Sequence, residues 1–139
     1  MTRFLLTLDK AVDLIDWSYH TKNTHGKIAV PKVKSMRVVN IAKSLIKYYG
    51  KTDKVSLKNI GIRSGEKLHE EMISADDSRR TFIAGDRYIV TPVVAEWGYK
   101  EPEGQRMPEG VAYQSNTNDL WMTEEEIRDG QRALRLSST

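Results

Sequence analysis

Short extended segments alternate with amphipathic helical segments over residues 1–95, and this alternation limits the folds open to the chain. Thr7 is placed to cap a helix in which Leu8, Val12, Ile15 and Tyr19 recur at three- and four-residue spacing, which predicts one buried face. The extended segment KIAVP follows, and this order of elements is typical of α/β or α+β proteins. Because the helical segments are few and short, a self-sufficient doubly wound sheet is not expected.

Local signals place the next elements. Ser35 is the expected cap of a second helix, and a third helix is expected over residues 66–73. Residues 81–90 predict a hairpin that turns at Gly85-Asp86, because a two-residue loop with glycine first suits a type II′ turn.

The composition changes after residue 95. Residues 96–110 contain two of the four prolines and three of the nine glycines, which is typical of a linker or a wrapping arm. A final helix then opens with a capping box from Thr123 to Glu126. We therefore divide the chain into a region over 1–95 and a C-terminal arm with a terminal helix over 96–139.

Composition excludes several functions. No apolar run reaches the roughly 18–20 residues of a membrane span. The chain has no cysteine, and His20, His25 and His69 do not form a metal-ligand pattern, so no metal site is expected. Without disulfides, a cytoplasmic location is the expectation.

The charge is unevenly distributed. Residues 17–58 hold ten Lys/Arg and one acid, whereas residues 59–139 hold ten basic and fifteen acidic residues. The basic span is open to two interpretations, a nucleic-acid patch or a solvated helix face. The aromatic residues there lie at helical spacing rather than between the lysines, which favours the solvated face.

The segment IGIRSGEKLHEEMIS suggests an anion site at residues 63–66. At the start of the expected helix, free N–H groups and the helix dipole would favour an anion, and Arg63 would add a bidentate pair of hydrogen bonds. Gly65 would let a ligand approach the backbone, and Glu66 is suited to accept from sugar hydroxyls. Together they suggest a nucleotide. The alternative is that Ser64 is only a helix cap and Arg63 only a surface ion-pair partner.

The signals of a complete nucleotide-dependent enzyme are absent from this sequence. No glycines fall at GxxGxxG or GxGxxG spacing, and no tyrosine is followed by a lysine four residues later. There is also no P-loop and no Ser/His/Asp arrangement. We therefore assign no catalytic, cofactor-binding or metal-binding residue to this chain.

Four blocks, MTRFLLTLDKAVDLI, IGIRSGEKLHEEMIS, DDSRRT and PEGVAYQSNTNDLWMTEEEI, resemble the C-terminal part of the UDP-N-acetylglucosamine 4,6-dehydratases. These are extended short-chain dehydrogenase/reductases of surface polysaccharide and flagellin-sugar synthesis, and some also epimerise C5. The resemblance implies that Arg3 and Arg63 grip the nucleotide diphosphate and that Glu66 binds the ribose. Ser64 departs from the proline that is common in the family, which makes the turn less rigid but gains a cap.

The same resemblance implies that the chain is the UDP-sugar-binding part of a dehydratase or epimerase and is inactive alone. The Rossmann half, which binds NADP or NAD and carries the Tyr-x-x-x-Lys pair, is missing. Met1 is then an internal residue of a split or truncated gene, or this half acts with a complementing Rossmann half. Homo-oligomers are common in the family. A second hypothesis is an oligomerisation or interaction module that has lost ligand binding, and a third is a nucleic-acid-binding module.

Overall fold

The computed structural model describes residues 1–22, 24–50, 52–95 and 98–136. In chain order, the elements are β1 (Thr2–Leu5), α1 (Leu8–His20), β2 (Ile28–Pro31), β3 (Lys34–Arg37), α2 (Val38–Tyr48), β4 (Glu71–Ile73), β5 (Thr81–Ala84), β6 (Arg87–Val90), β7 (Gln105–Arg106), β8 (Tyr113–Gln114) and α3 (Glu124–Leu136). The mixed α and β class expected from the sequence is confirmed. Across the described residues, no helix has both the length and the apolar character needed to cross a bilayer.

The chain folds into two compact units, each assembled from separated stretches. The first unit contains Met1–Leu5, Lys34–Glu70 and Ser115–Thr139, and the second contains Leu6–Val33 and Glu71–Gln114. The chain therefore passes from one unit to the other four times. The division of the chain at residue 95, which rests on the change in composition, stays a prediction.

In the first unit, β1 pairs antiparallel with β3, so that Arg3 lies opposite Met36. Ser35 is fully buried in β3; its N–H donates to the Leu120 carbonyl at 2.8 Å, and its own carbonyl accepts from the Met122 N–H at 2.9 Å. The expectation that Ser35 caps the second helix is therefore wrong, because backbone pairing places it inside a strand.

The two helices of the first unit begin in different ways. α2 starts after Arg37, whose side chain makes no capping hydrogen bond. α3 starts with the predicted capping box, in which the Thr123 N–H donates to Glu126 Oε2 at 3.0 Å and the Glu126 N–H donates to Thr123 Oγ1 at 3.2 Å. The Lys34 ammonium also donates to Glu126. This hydrogen bond makes the largest contribution to lowering the pKa of the Glu126 carboxyl, and the hydrogen bond from the Thr123 N–H makes the next largest.

The second unit is built on an antiparallel sheet in the order β2-β6-β5-β7, with a separate β4-β8 ladder. The expected hairpin is confirmed: β5 and β6 pair around Gly85, which has φ +60°. Such a positive φ is where glycine is favoured. The buried apolar residues of this unit are Val30, Val33, Ile73, Phe82, Ile89, Val90, Met107 and Tyr113.

α1 begins at the predicted residue, but its apolar face is not buried as predicted. Thr7 Oγ1 accepts from the Lys10 N–H at 3.4 Å, as expected of a cap. The face of Leu8, Val12, Ile15 and Tyr19, which the periodicity predicts to be buried, is exposed in the structure. The spacing identified an apolar face correctly, but periodicity alone does not say which surface is available to cover that face.

The predicted helix over residues 66–73 is wrong. Residues 63–70 form turns and irregular backbone, and Glu71–Ile73 is strand β4, paired antiparallel with Tyr113–Gln114 of β8. The Gln114 side-chain amide also donates to Glu71 Oε2 at 2.5 Å. Pairing with a segment some forty residues away therefore overrides the local helix preference of the glutamate-rich sequence.

Candidate functional site

The candidate site begins with a tight turn that spans residues 63–66. The Glu66 N–H donates to the Arg63 carbonyl at 3.1 Å, and Gly65 at the third position has φ +79°. These features match a type II turn, in which the third residue requires a positive φ. A Cβ at Gly65 would meet nothing within 4 Å, so the backbone conformation, rather than a lack of space, favours glycine here.

No helix follows this turn, so the expected helix dipole and row of free N–H groups do not contribute to the site. Ser64 consequently caps no helix. Whatever affinity residues 63–66 have for an anion must come from side-chain charge and from the turn itself.

The Glu66 carboxylate links the turn to β1. Its Oε2 accepts from the Arg63 N–H at 3.2 Å, and its Oε1 lies 4.0 Å from Nη2 of Arg3. Arg3 and the turn are 60 residues apart in the chain, yet one carboxylate touches both of them. The structure thus brings together the four residues that the sequence singles out, which are Arg3, Arg63, Gly65 and Glu66.

Arg3 is largely occupied by the protein itself. Its Nη1 donates to the carbonyls of Thr2 at 2.7 Å and Leu68 at 3.3 Å, and its Nη2 donates to the carbonyl of Lys67 at 2.9 Å. Its Nε lies 3.2 Å from Oε1 of Glu70. A guanidinium has five N–H groups, so most of the hydrogen-bonding capacity of Arg3 is spent on the segment that follows the turn.

Arg63 is in the opposite situation. Its side chain is exposed, and within the part of the chain that the structure describes its guanidinium makes no hydrogen bond or ion pair. The alternative that Arg63 is a surface ion-pair partner therefore gains no support. All five N–H groups of Arg63 remain available to an oxyanion.

A buried hydroxyl network that the sequence analysis did not anticipate supports the site. Ser115 is fully buried, and its Oγ lies 2.7 Å from Oγ1 of Thr2 and accepts from the Glu70 N–H at 2.9 Å. Thr2 Oγ1 also lies 2.8 Å from Nδ1 of His69. These bonds fix β1 against residues 69–70, which is the segment that Arg3 holds.

The sequence also missed the role of Glu70. Glu70 and Glu71 are adjacent in the sequence, but the structure gives the two carboxylates different partners. Glu70 faces Arg3, whereas Glu71 accepts from Gln114. The contact between Arg3 and Glu70 joins two residues that are far apart in the chain. A single sequence carries no signal for such a distant pair.

The arrangement is suited to binding rather than to chemistry. Its cations can attract and orient an oxyanion, and its carboxylates can accept from hydroxyls. Among the described residues, no group of three or more His, Asp or Glu side chains could hold a metal ion.

Comparisons with known proteins identify the family of the chain. A family model described as "Polysaccharide biosynthesis protein" matches residues 1–92. The UDP-N-acetylglucosamine 4,6-dehydratase (inverting) of Campylobacter jejuni subsp. jejuni serotype O:23/36 (strain 81-176) is 34% identical over 137 residues, which cover 93% of this chain and 39% of that protein. The UDP-glucose 4-epimerase of Rickettsia canadensis (strain McKiel) is 33% identical over 90 residues, which cover 65% of this chain and 26% of that protein.

A solved structure is similar as well. The crystal structure of Pen from Bacillus thuringiensis matches with a TM-score of 0.72 and 23% identity, over 98% of this chain and 38% of that one. At this identity the match shows the fold alone. Because the match covers 39% of the dehydratase and 38% of the solved structure, the chain spans well under half the length of these relatives.

Proposed function

The chain belongs to the polysaccharide biosynthesis protein family, and we propose on this basis that it binds a UDP-sugar as part of a nucleotide-sugar dehydratase or epimerase. The relatives at 33–34% identity, a UDP-N-acetylglucosamine 4,6-dehydratase and a UDP-glucose 4-epimerase, both carry a UDP-sugar in their names. UDP-N-acetylglucosamine is the ligand we favour, because the dehydratase matches over almost the whole chain.

One observation supports the site assignment most directly: Arg63, whose guanidinium has no partner among the described residues, stands on a turn next to the segment that Arg3 holds. Arg63 would donate two parallel hydrogen bonds to the diphosphate, the strongest arrangement available to a guanidinium. Arg3 would act mainly by positioning, because its N–H groups hold the carbonyls of Lys67 and Leu68. Its charge would still add to the attraction of the anion.

Glu66 would accept from the ribose hydroxyls. Its Oε1 is 4.0 Å from Arg3, beyond hydrogen-bonding distance, so this oxygen keeps capacity to accept from a ligand. Gly65 would present a turn without a side chain beside the diphosphate. We assign this cluster a role in binding alone.

The remaining parts of the reaction would come from a complementing Rossmann half. That half would bind NADP or NAD and carry the groups that oxidise and reduce the sugar, and the present chain would be inactive without it. The chain covers 39% of the dehydratase, which leaves ample length for such a half. We place the assembled enzyme in the cytoplasm, as a homo-oligomer.

The test is UDP-N-acetylglucosamine binding by the full chain, measured by titration calorimetry for the unchanged protein and for Arg63→Ala. We expect weak binding that falls by about 10- to 100-fold in the variant, because charged hydrogen bonds contribute about 1.5–3 kcal/mol. Arg79→Ala is the matched control, since this exposed arginine pairs with Asp76 and Glu109, neither of which belongs to the candidate site.

Two outcomes would count against the proposal. Undiminished binding in Arg63→Ala would remove the site assignment while leaving UDP-sugar binding intact. No binding by the unchanged chain, with a circular dichroism spectrum of a folded protein, would favour the interaction module that has lost its ligand.

A further inference from the structure

His69 lies at the end of a short chain of buried hydroxyl groups in the first unit. Its Nδ1 is 2.8 Å from Thr2 Oγ1, which is itself 2.7 Å from Ser115 Oγ. Ser115 is fully buried and Thr2 is only 6% exposed, so water is not a ready partner for either hydroxyl. A buried hydroxyl that donates to nothing is costly, so each proton of this chain should point to an acceptor.

The direction of the hydrogen bonds follows from the Ser115 end of the chain. Among the described residues, Ser115 Oγ has two hydrogen-bond partners, which are the Glu70 N–H at 2.9 Å and Thr2 Oγ1. Because the N–H can only donate, the Ser115 proton must go to Thr2. The Thr2 oxygen therefore accepts from Ser115, and its own proton must go to Nδ1 of His69.

This order of donors defines the state of the imidazole. A ring nitrogen accepts only when it carries no proton, so Nδ1 of His69 is unprotonated and the neutral ring carries its proton on Nε2. The other neutral tautomer, or an imidazolium, would place an N–H against the Thr2 hydroxyl and leave the Thr2 proton without an acceptor. Two buried hydroxyls thus select one of the two neutral tautomers of an exposed histidine.

The hydrogen bond to His69 also completes a clasp around β1. Thr2 and Arg3 are successive strand residues, so their side chains leave the strand on opposite faces. His69 bonds to the Thr2 side chain on one face, whereas the Glu70 carboxylate lies 3.2 Å from Arg3 Nε on the other. Between them, the Leu68 carbonyl accepts from the Thr2 N–H at 3.0 Å. The segment is therefore tied to β1 on both of its faces.

We propose that His69 is a positioning residue of the candidate site, which acts through this clasp and only as the Nε2–H tautomer. It fixes the segment whose carbonyls and Glu70 carboxylate orient Arg3, and a site with oriented groups loses less conformational freedom on binding. For its effect on affinity the inference rests on the proposed UDP-sugar binding. Its effect on Arg3 can be measured without a ligand.

The tautomer is tested first. Two-bond proton–nitrogen correlation spectra of the full chain, taken at about pH 8 where imidazoles are neutral, show which ring nitrogen carries the proton. We expect His69 to be only the Nε2–H tautomer, and Thr2→Val to return a mixture of tautomers because the donor is removed. His25, an exposed residue of the second unit, is the reference in the same spectra. A mixture at His69 in the unchanged chain, or a proton on its Nδ1, would overturn the inference.

Substitutions of His69 then test the clasp. His69→Leu removes the acceptor, whereas His69→Asn keeps one in its side-chain carbonyl. We expect exchange of the Arg3 Nε–H with water, followed in proton–nitrogen spectra, to be about threefold to tenfold faster in His69→Leu, the effect of one neutral hydrogen bond, and unchanged in His69→Asn. His25→Leu is the matched control. Because His69 is exposed, the circular dichroism spectra should not change. Equal Arg3 exchange in His69→Leu and the unchanged chain would overturn the inference.

Titration with UDP-N-acetylglucosamine separates this inference from the proposed function. We expect His69→Leu to weaken binding by about threefold to tenfold, and His69→Asn to stay within about twofold of the unchanged chain. Equal affinity in His69→Leu would contradict a positioning role. A chain that binds no UDP-N-acetylglucosamine, but in which Arg3 exchange rises only in His69→Leu, would overturn the proposed function and support the clasp.

Discussion

Ser64 occupies the second position of the turn over residues 63–66, immediately before Gly65 at φ +79°. Proline is favoured at this position of a type II turn, and the resembling dehydratases commonly have proline there. We expect Ser64→Pro to raise the free energy of unfolding by about 0.4–1 kcal/mol, because proline lowers the conformational entropy of the unfolded chain and fits the backbone of the folded turn. Urea unfolding followed by circular dichroism measures the change. Gly65→Ala is the opposing control and should lower it by about 1–2 kcal/mol.

The short 3₁₀ turn at Asp77–Arg80 is an element whose stability should depend on pH. Ser74 Oγ donates to Asp77 Oδ2 at 2.9 Å, and Arg80 Nη2 donates to Oδ1 at 2.7 Å. These hydrogen bonds, the one from Ser74 first, lower the pKa of the Asp77 carboxyl below its usual 3.8. A lowered folded-state pKa stabilises the fold above the usual value, and this contribution is lost as the pH falls through the folded-state pKa.

We therefore expect Asp77→Asn to lower the free energy of unfolding at pH 7 by about 1 kcal/mol or less, as for a partly exposed pair. The curves of variant and unchanged protein should converge as the pH falls below 3.8. Thermal unfolding between pH 7 and pH 2 measures this. Asp76→Asn is the control, because Asp76 is 91% exposed and its pair with Arg79 should contribute less to stability than the contacts of Asp77. A constant gap between the two curves at all pH values would show that the carboxylate charge is not involved.

Elements defined by local chemistry were predictable, and elements defined by distant pairing were not. Thr7, Thr123–Glu126 and the Gly85 turn act within three or four residues of themselves, so the sequence contains the whole signal. Ser35 looks like a cap by the same local rules, yet the backbone of residues 120–122 pairs with it and buries it. The helix expected after residues 63–66 was wrong for the same reason, because Glu71–Ile73 pairs with Tyr113–Gln114 instead.

At the scale of the whole molecule, ligand binding should affect the two compact units differently. All four candidate ligand-binding residues belong to the first unit, so UDP-N-acetylglucosamine should slow the local openings of that unit. Hydrogen exchange followed by mass spectrometry should show new protection over residues 63–70 and β1, with α1 and the β2-β6-β5-β7 sheet unchanged. The protection should disappear in Arg63→Ala. Protection confined to the second unit would place the ligand elsewhere.

The interleaving of the two units along the chain has a consequence for synthesis, because a chain leaves the ribosome from its N-terminus onward. Every residue of the second unit has been made once residue 114 has been added, whereas the first unit lacks its third stretch until translation proceeds from Ser115. The contacts of Arg3 with Leu68 and Glu70 can form in the nascent chain. Their support on the Ser115 hydroxyl arrives later. The anion cluster is thus assembled early and fixed late, and a chain released after residue 114 would contain every residue of the second unit but an unfinished first unit.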